Sequence, residues 1–301
     1  MKMVLAKIEV LSPRIRHFTL VPVAGVLAVA GAGAHVVLEI PGPGRVWKNA
    51  YSIVSAPSAH AYEIIVRRVE HSRGGSAWLH DHARVGNVIE VQAPQNLFPP
   101  ARTAKRHLLL SAGIGATPFL SYLHVPGLNF EWHHCGRAED AAAFKALLPE
   151  AVILHAGRNT LNLAALLAAQ KMDTHLSLCG PEEFMDFALA AAEHAGWPAR
   201  KIHKESFGGA TVGAPFVAHL RRSGQSIHVG PEESLLAAME AAGLAPPYLC
   251  RGGACGECKL PVLEGGVEHH DHYLSSAERT ANDAIMICVS RARTTEIVLD
   301  F

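Results

Sequence analysis

The chain has 301 residues, 49% of them apolar, and a formal net charge of zero. That length favours two or three compact units, each able to bury a core of its own. Zero net charge excludes a general pull toward nucleic acid or an anionic membrane, and no run of about 18 apolar residues is present to span a bilayer.

The N-terminus, MKMVLAKIEV, alternates apolar and polar residues as a strand does and lacks the long apolar stretch of a signal peptide. A soluble cytoplasmic protein is expected. Through the first hundred residues, short strands are predicted at Met3–Val10, Ile15–Val21, His35–Ile40, Ala50–Ser55, Tyr62–Val69 and Asn87–Ala93, with one helical stretch, Ser76–His82. Turn-rich pieces such as Pro41-Gly42-Pro43-Gly44 separate them, so residues 1–101 read as a small antiparallel barrel.

After Pro99-Pro100 the rhythm changes. Strands at His107–Ser111, Asn129–Cys135, Ala151–His155 and His175–Cys179 alternate with helices at Ala138–Leu148, Leu161–Gln170 and Pro181–Ala195, the order of a doubly wound α/β unit over residues 102–207. Residues 208–215 form a small-residue linker. Residues 216–301 are a third unit, with strands at Phe216–Leu220 and Ser226–Val229, a helix at Ser234–Ala242, and strands again at Ala284–Val289 and Glu296–Phe301.

The six cysteines are too few and too clustered for a disulfide framework, which suggests metal ligation or redox chemistry in a reducing compartment. Cys250, Cys255 and Cys258 are spaced C-x4-C-x2-C, and Cys288 follows. That is the plant-type [2Fe–2S] spacing. Gly252, Gly253 and Gly256 suit it, because the backbone has to wrap tightly and turn N–H groups toward sulfur. The rival is a Cys₄ zinc site, which usually pairs two short knuckles where this chain has one. His133-His134 and His269-His270-Asp271-His272 lack the spacing and acidic partner of a metal site.

The stretch from Pro247 to Ala292 resembles the [2Fe–2S] domain at the C-terminus of the phthalate dioxygenase reductase family. In that family the ferredoxin part is an α+β, β-grasp domain, and the resemblance makes His270 and Asp271 structural. It extends upstream. Asn49-Ala50-Tyr51-Ser52, placed at the start of a strand, and Arg73-Gly74-Gly75-Ser76, opening a short helix, resemble the flavin pattern of the ferredoxin–NADP⁺ reductase superfamily. A Gly-rich turn entering a helix can cradle phosphate, although alone it is more often just a turn. By resemblance the flavin is FMN. Tyr51 packs on it, Ser52 lies near its N5, Val66 and Arg67 line the ring and ribityl side, and Gly74, Gly75 and Ser76 hold the phosphate. Asn49 stands where the family has arginine, which removes one cation.

Ser111-Ala112-Gly113-Ile114-Gly115-Ala116-Thr117-Pro118 runs from a buried strand through glycines into a helix, and so suits a pyrophosphate. A generic strand–turn–helix is the alternative. The resemblance makes it the nicotinamide motif, with Ala112 replacing a glycine and Thr117 approaching both flavin and nucleotide. Cys179-Gly180-Pro181 then lies beside the nicotinamide ring, with Cys179 as buried apolar filler the alternative. Arg137 touches the adenosine, and Glu205-Ser206-Phe207 closes the domain with an aromatic guarding the flavin. Ser52, Cys179, Glu205 and Phe207 are the implied catalytic set.

The family branch uses NADH; no residue here separates it from NADPH. Nicotinamide gives two electrons as hydride, a [2Fe–2S] cluster takes one at a time, and flavin does both. The expected activity passes electrons from NADH through FMN and the cluster to a separate oxygenase of Rieske type, one that hydroxylates or demethylates. Alternatives are a redox-sensing flavin/iron–sulfur module, a reductase for another acceptor, or a flavin reductase. No nucleic acid or membrane partner is expected.

Overall fold

In a computed structural model the described residues are 1–42, 45–69, 74–157, 160–207 and 212–301. Arg73 and linker positions 208–211 lie outside them. The chain divides into two compact units, Met1–Glu205 and Ser206–Phe301.

The first unit opens with β1 (Lys2–Ser12), β2 (Ile15–Pro22), β3 (Ala34–Gly42), β4 (Arg45–Ser52) and β5 (Tyr62–Arg67), then α1 (Gly75–Asp81), β6 (Val88–Val91) and the short β7 (Gln95–Asn96). The antiparallel order is β4-β3-β6-β1-β2-β5, with β7 added to β3. Period-two alternation explains which face is buried: Met3 and Leu5, Phe18 and Leu20, Val36, Leu38 and Ile40, and Ile64 and Val66 share one core, with Leu79 of α1. The sheet curls without closing in a continuous ladder. Its end strands meet at an isolated bridge, Ile53 to Ile64, where the Val54 N–H donates to the Glu63 carbonyl at 2.8 Å.

One expectation is corrected here. Residues 49–52 are the second half of β4, not the start of a strand. Pairing begins at Gly42 with Arg45 and runs to His35 with Ser52, because the hairpin satisfies backbone groups along the full length of β3.

The same unit continues with β8 (Arg106–Ala112), a 3₁₀ turn Gly113–Ala116, α2 (Thr117–Tyr122), β9 (Phe130–Gly136), α3 (Ala141–Leu147), β10 (Ile153–Ala156), α4 (Leu163–Ala168), β11 (Thr174–Cys179), α5 (Glu182–His194) and β12 (Ile202–Glu205). All pairs are parallel, in the order β10-β9-β8-β11-β12. Leu108, Leu109, Leu110, Leu176 and Leu178 are fully buried, since helices cover both faces of a parallel sheet. The chain runs outward from β8 through β9 and β10, then returns to the other side of β8 with β11. The carboxyl ends of β8 and β11 are therefore the switch point where such sheets leave a crevice. The edge strand β12 is short and polar, and its sequence carries no strand signal.

The second unit contains β13 (Phe216–Leu220), β14 (Gln225–Val229), α6 (Leu235–Ala241), β15 (Lys259–Glu264), β16 (Val267–Glu268), α7 (Ser276–Ala281), β17 (Ala284–Met286), β18 (Arg291–Ala292) and β19 (Glu296–Leu299). Its main sheet is mixed, β14-β13-β19-β15-β17, and β13 runs parallel to β19. Leu235, Leu236 and Met239 of α6 pack on it. Ser234 caps that helix by accepting from the Ala237 N–H at 3.1 Å. The strand expected over Ala284–Val289 ends at Met286, because the N–H groups of Val289 and Ser290 both turn back to the Met286 carbonyl. That turn delivers Cys288.

Candidate functional site

In the second unit the loop from Cys250 to Cys258 folds back on itself. Arg251, Gly253 and Gly256 all have positive φ, and a side chain on Gly256 would collide with the Tyr273 ring at 2.4 Å. The N–H groups of Gly252 and Ala254 donate to the Cys250 sulfur at 3.4 Å. The Cys255 thiol also donates to it, and that bond first, then the backbone N–H groups, holds Cys250 below the ordinary thiol range against the opposing effect of burial. The Sγ atoms of Cys258 and Cys288 are 3.1 Å apart, and no cysteine forms a disulfide.

The four sulfurs thus stand as two pairs, Cys250 with Cys255 and Cys258 with Cys288. Two irons taking two thiolates each require two pairs, whereas tetrahedral zinc requires four sulfurs about one point. Among the described residues no three His, Cys, Asp or Glu side chains are grouped as ligands of one metal ion. The residues present fit a [2Fe–2S] cluster.

Asp271 packs against this loop, its Cα 3.0 Å from where a Cβ on Gly253 would stand, and the neighbouring His272 N–H donates to the Gly253 carbonyl at 3.0 Å. The buried Asp271 carboxylate accepts from the N–H groups of Tyr273 (3.2 Å) and Leu274 (2.8 Å) and from the Ser290 hydroxyl (3.3 Å). Arg279 reaches the same carboxylate at 3.7 Å.

In the first unit the end of β4 meets the switch point of the parallel sheet. Ser52 is buried, and its Oγ lies 3.4 Å from the Thr117 hydroxyl, which donates to the Ile114 carbonyl at 2.9 Å. Gly115 is pressed against the β11 turn: a Cβ there would sit 2.3 Å from the Cys179 carbonyl oxygen and 2.6 Å from the Gly180 nitrogen. Gly180 in turn abuts Ala112, at 3.1 Å. Gly113 has φ 53°, Pro118 stands in the first turn of α2, and Pro181 precedes α5. Gly113, Gly115, Thr117, Pro118, Cys179, Gly180 and Pro181 therefore gather at one end of the sheet.

Tyr51 is half-buried with its hydroxyl sealed; burial pushes that phenol up, and the Asn49 side chain beside it pulls the other way. A Cβ on Gly75 would fall 2.6 Å from Asn49 Oδ1, so Asn49 and the Gly74-Gly75-Ser76 turn are in contact. Arg67 lies 3.9 Å from the buried Asp140.

Several predicted residues sit differently from a simple lining. The Val66 side chain, 1% exposed, belongs to the barrel core, and its carbonyl faces His80 Nε2 at 3.0 Å. Cys179 is fully buried among Leu109, Phe119 and Trp132, and burial, then Glu205, pushes its thiol up. A neutral thiol with no solvent path leaves the backbone of this turn as its accessible part. Glu205 pairs with Cys179 across β11 and β12. Arg137 is exposed and 3.6 Å from Glu139. Phe207 is exposed in the second unit.

Residues 218–293 match the 2Fe-2S iron-sulfur cluster binding domain family. The chain is 43% identical to the heme-dependent oxidative N-demethylase beta subunit of Ectopseudomonas mendocina, over 98% of this chain and 97% of that one. It is 35% identical to the carnitine monooxygenase reductase subunit of Escherichia coli K12, over 98% and 96%. The solved phthalate dioxygenase reductase superposes with a TM-score of 0.85 at 31% identity, covering 100% of this chain and 98% of that one.

Proposed function

The chain belongs to the phthalate dioxygenase reductase family, and from that premise we propose how its residues carry electrons from NADH to an oxygenase. It is the oxidoreductase component of such a system. FMN, when bound, exchanges a nicotinamide's electron pair for the single electrons that a [2Fe–2S] cluster accepts. The observation that carries the reading is the approach of Thr117 to Ser52, which sets the end of the flavin strand at the nucleotide crevice.

Within this site the Gly113–Thr117 turn and the Cys179-Gly180-Pro181 turn form the floor for a nicotinamide, held together by the Gly115 contact. Tyr51 and Ser52 flank the flavin ring, and Gly74, Gly75 and Ser76 face its phosphate. Arg67 stands on the ribityl side. Arg137 serves the adenosine end, and Glu205 borders the nicotinamide turn. Cys250, Cys255, Cys258 and Cys288 hold the cluster as thiolates, stabilised by backbone N–H donors. Positioning and exclusion of water are the protein's contribution; no general acid or covalent nucleophile is required.

We assign residues 1–101 to flavin, 102–207 to nucleotide, 208–215 to a linker and 216–301 to the cluster. None of the described helices is long and apolar enough to cross a membrane. A thiolate cluster site with no disulfide suits the cytoplasm.

The partner we propose is a Rieske-type oxygenase that demethylates or hydroxylates. The 43% identity to a subunit of a heme-dependent N-demethylase supports a second reading, a heme-containing terminal oxygenase. Anaerobic NADH titration of the purified protein tests the core claim. Flavin bands and the broad cluster absorbance should both bleach; absorbance unchanged by NADH refutes it. Adding Rieske or heme oxygenases and scoring product then decides the partner.

A further inference from the structure

The parallel sheet ends at β12, an edge strand of four residues in which Ile202, His203 and Glu205 are half-buried and Lys204 is exposed. With so little apolar surface covered, its attachment rests on backbone pairing and on single side-chain bonds. One such bond crosses to β11. His175 Nδ1 and His203 Nε2 are 2.9 Å apart, and the two ring planes differ by 6°. Nitrogens closer than the ~3.5 Å at which ring faces meet share a hydrogen bond in the plane of the rings. An imidazole–imidazole bond needs one nitrogen that keeps its lone pair, so it survives one proton and not two. His107 of β8 stands in register with His175 and is buried beside it. The charged groups at this end of the sheet are Lys201, which acts on His175, and Asp173, which Lys105 takes up at 3.0 Å with Lys201 also near. Glu205 lies at the far end of β12, opposite Cys179. Burial, then Lys201, holds His175 below the ordinary histidine value, and burial, then the neighbouring imidazoles, does the same to His203 and His107. The opposite edge strand, β10, is fastened by a similar bond, with His133 Nδ1 and His155 Nε2 2.9 Å apart. There the Glu131 carboxylate, which Arg106 also engages, faces His133 Nε2 at 3.1 Å and gives added positive charge a counter-ion.

We propose that β12 is an acid-released strand: the His175–His203 bond fastens it at neutral pH, and protonation of both rings frees it and draws Glu205 away from the Cys179 turn. The sign follows from proton linkage. A detached β12 leaves both rings in water, where they take up protons near 6.5, while the docked rings resist until lower pH. Acid therefore favours the detached strand, and well above 6.5 both forms bind equal numbers of protons and pH has no hold on it. The release follows from the sheet alone; its consequence for NADH rests on the reductase reading above.

The test is amide hydrogen exchange of the full-length protein from about pH 7.5 to about pH 5.5, corrected for the intrinsic exchange rate. Protection of β12 should fall about tenfold more than that of β10, as one extra proton over one pH unit dictates. His203→Gln keeps a hydrogen-bonding side chain and removes the titrating ring, so in that variant β12 should hold its protection across the same range. Equal loss from both edge strands, or an acid response that survives in His203→Gln, overturns the proposal. If His203→Gln does not fold, the comparison of β12 with β10 in the wild type still decides. The KM for NADH should rise over the same pH interval with FMN content unchanged, and a released β12 with a constant KM would overturn the link to Glu205. A chain that shows the strand release but oxidises no NADH at either pH would instead refute the reductase reading beneath it.

Discussion

Gly115 and Asp271 show how much a single residue can hold. A methyl at position 115 would enter the Cys179 peptide itself, and backbone on both sides leaves little room to relax. Gly115→Ala should cost about 1–3 kcal/mol by overpacking. Differential scanning calorimetry should show the first unit melting several degrees lower, and the KM for NADH should rise because the crevice floor is displaced. Asp271→Ala removes the acceptor for two N–H groups and a hydroxyl, at roughly 1–3 kcal/mol for each buried donor left unpaired. The cluster absorbance should then decay faster in the presence of chelator, with FMN content unchanged; Asp271→Asn, which keeps one acceptor oxygen, should be milder. An unchanged bleaching rate would show that Asp271 does not brace the loop. The C-x4-C-x2-C spacing was legible because Cys250, Cys255 and Cys258 lie within nine residues. The demand for glycine at 115 was not, because the carbonyl it meets arrives from another strand.

At the scale of elements, α7 carries its start signal in its own sequence. Ser275 and Glu278 have the spacing of a capping box, and the structure forms it: the Ser275 hydroxyl accepts from the Glu278 N–H while Glu278 accepts from the Ser275 N–H. Ser275→Ala should cost about 1 kcal/mol, seen as a lower denaturation midpoint of the second unit. The Ser275 N–H, then the Lys259 ammonium, draw Glu278 down to about 2. A carboxylate depressed on folding adds stability above its ordinary value near 4.5, and that stability is lost as pH falls toward 2. Between those limits the wild type should lose stability with acid faster than Glu278→Gln, measured by circular dichroism melts. The effect should be small, since the pair is exposed to solvent. Position in a strand was harder to read. Residues 49–52 looked like a strand's start because the Gly/Pro turn precedes them, but pairing with β3 puts the beginning at Arg45.

For the whole molecule, each of the two compact units closes a hydrophobic core of its own. A fragment of residues 1–207 should therefore fold, bind FMN and reduce ferricyanide with NADH at close to the intact rate. It should fail to support product formation by the oxygenase, and a fragment that still supported it would remove the cluster from the path. The amino-acid sequence alone determined the [2Fe–2S] cysteine spacing and the order of strand-rich, α/β and cysteine-bearing segments, because ligand spacing and hydrophobic period are local properties, while FMN and NADH came from the family resemblance. Only the tertiary structure decided which side of each residue is available. It buried the Cys179 thiol and the Val66 side chain and paired the four sulfurs two by two. Those outcomes depend on strands and loops distant in the chain packing against one another, and no local pattern records which atoms will meet.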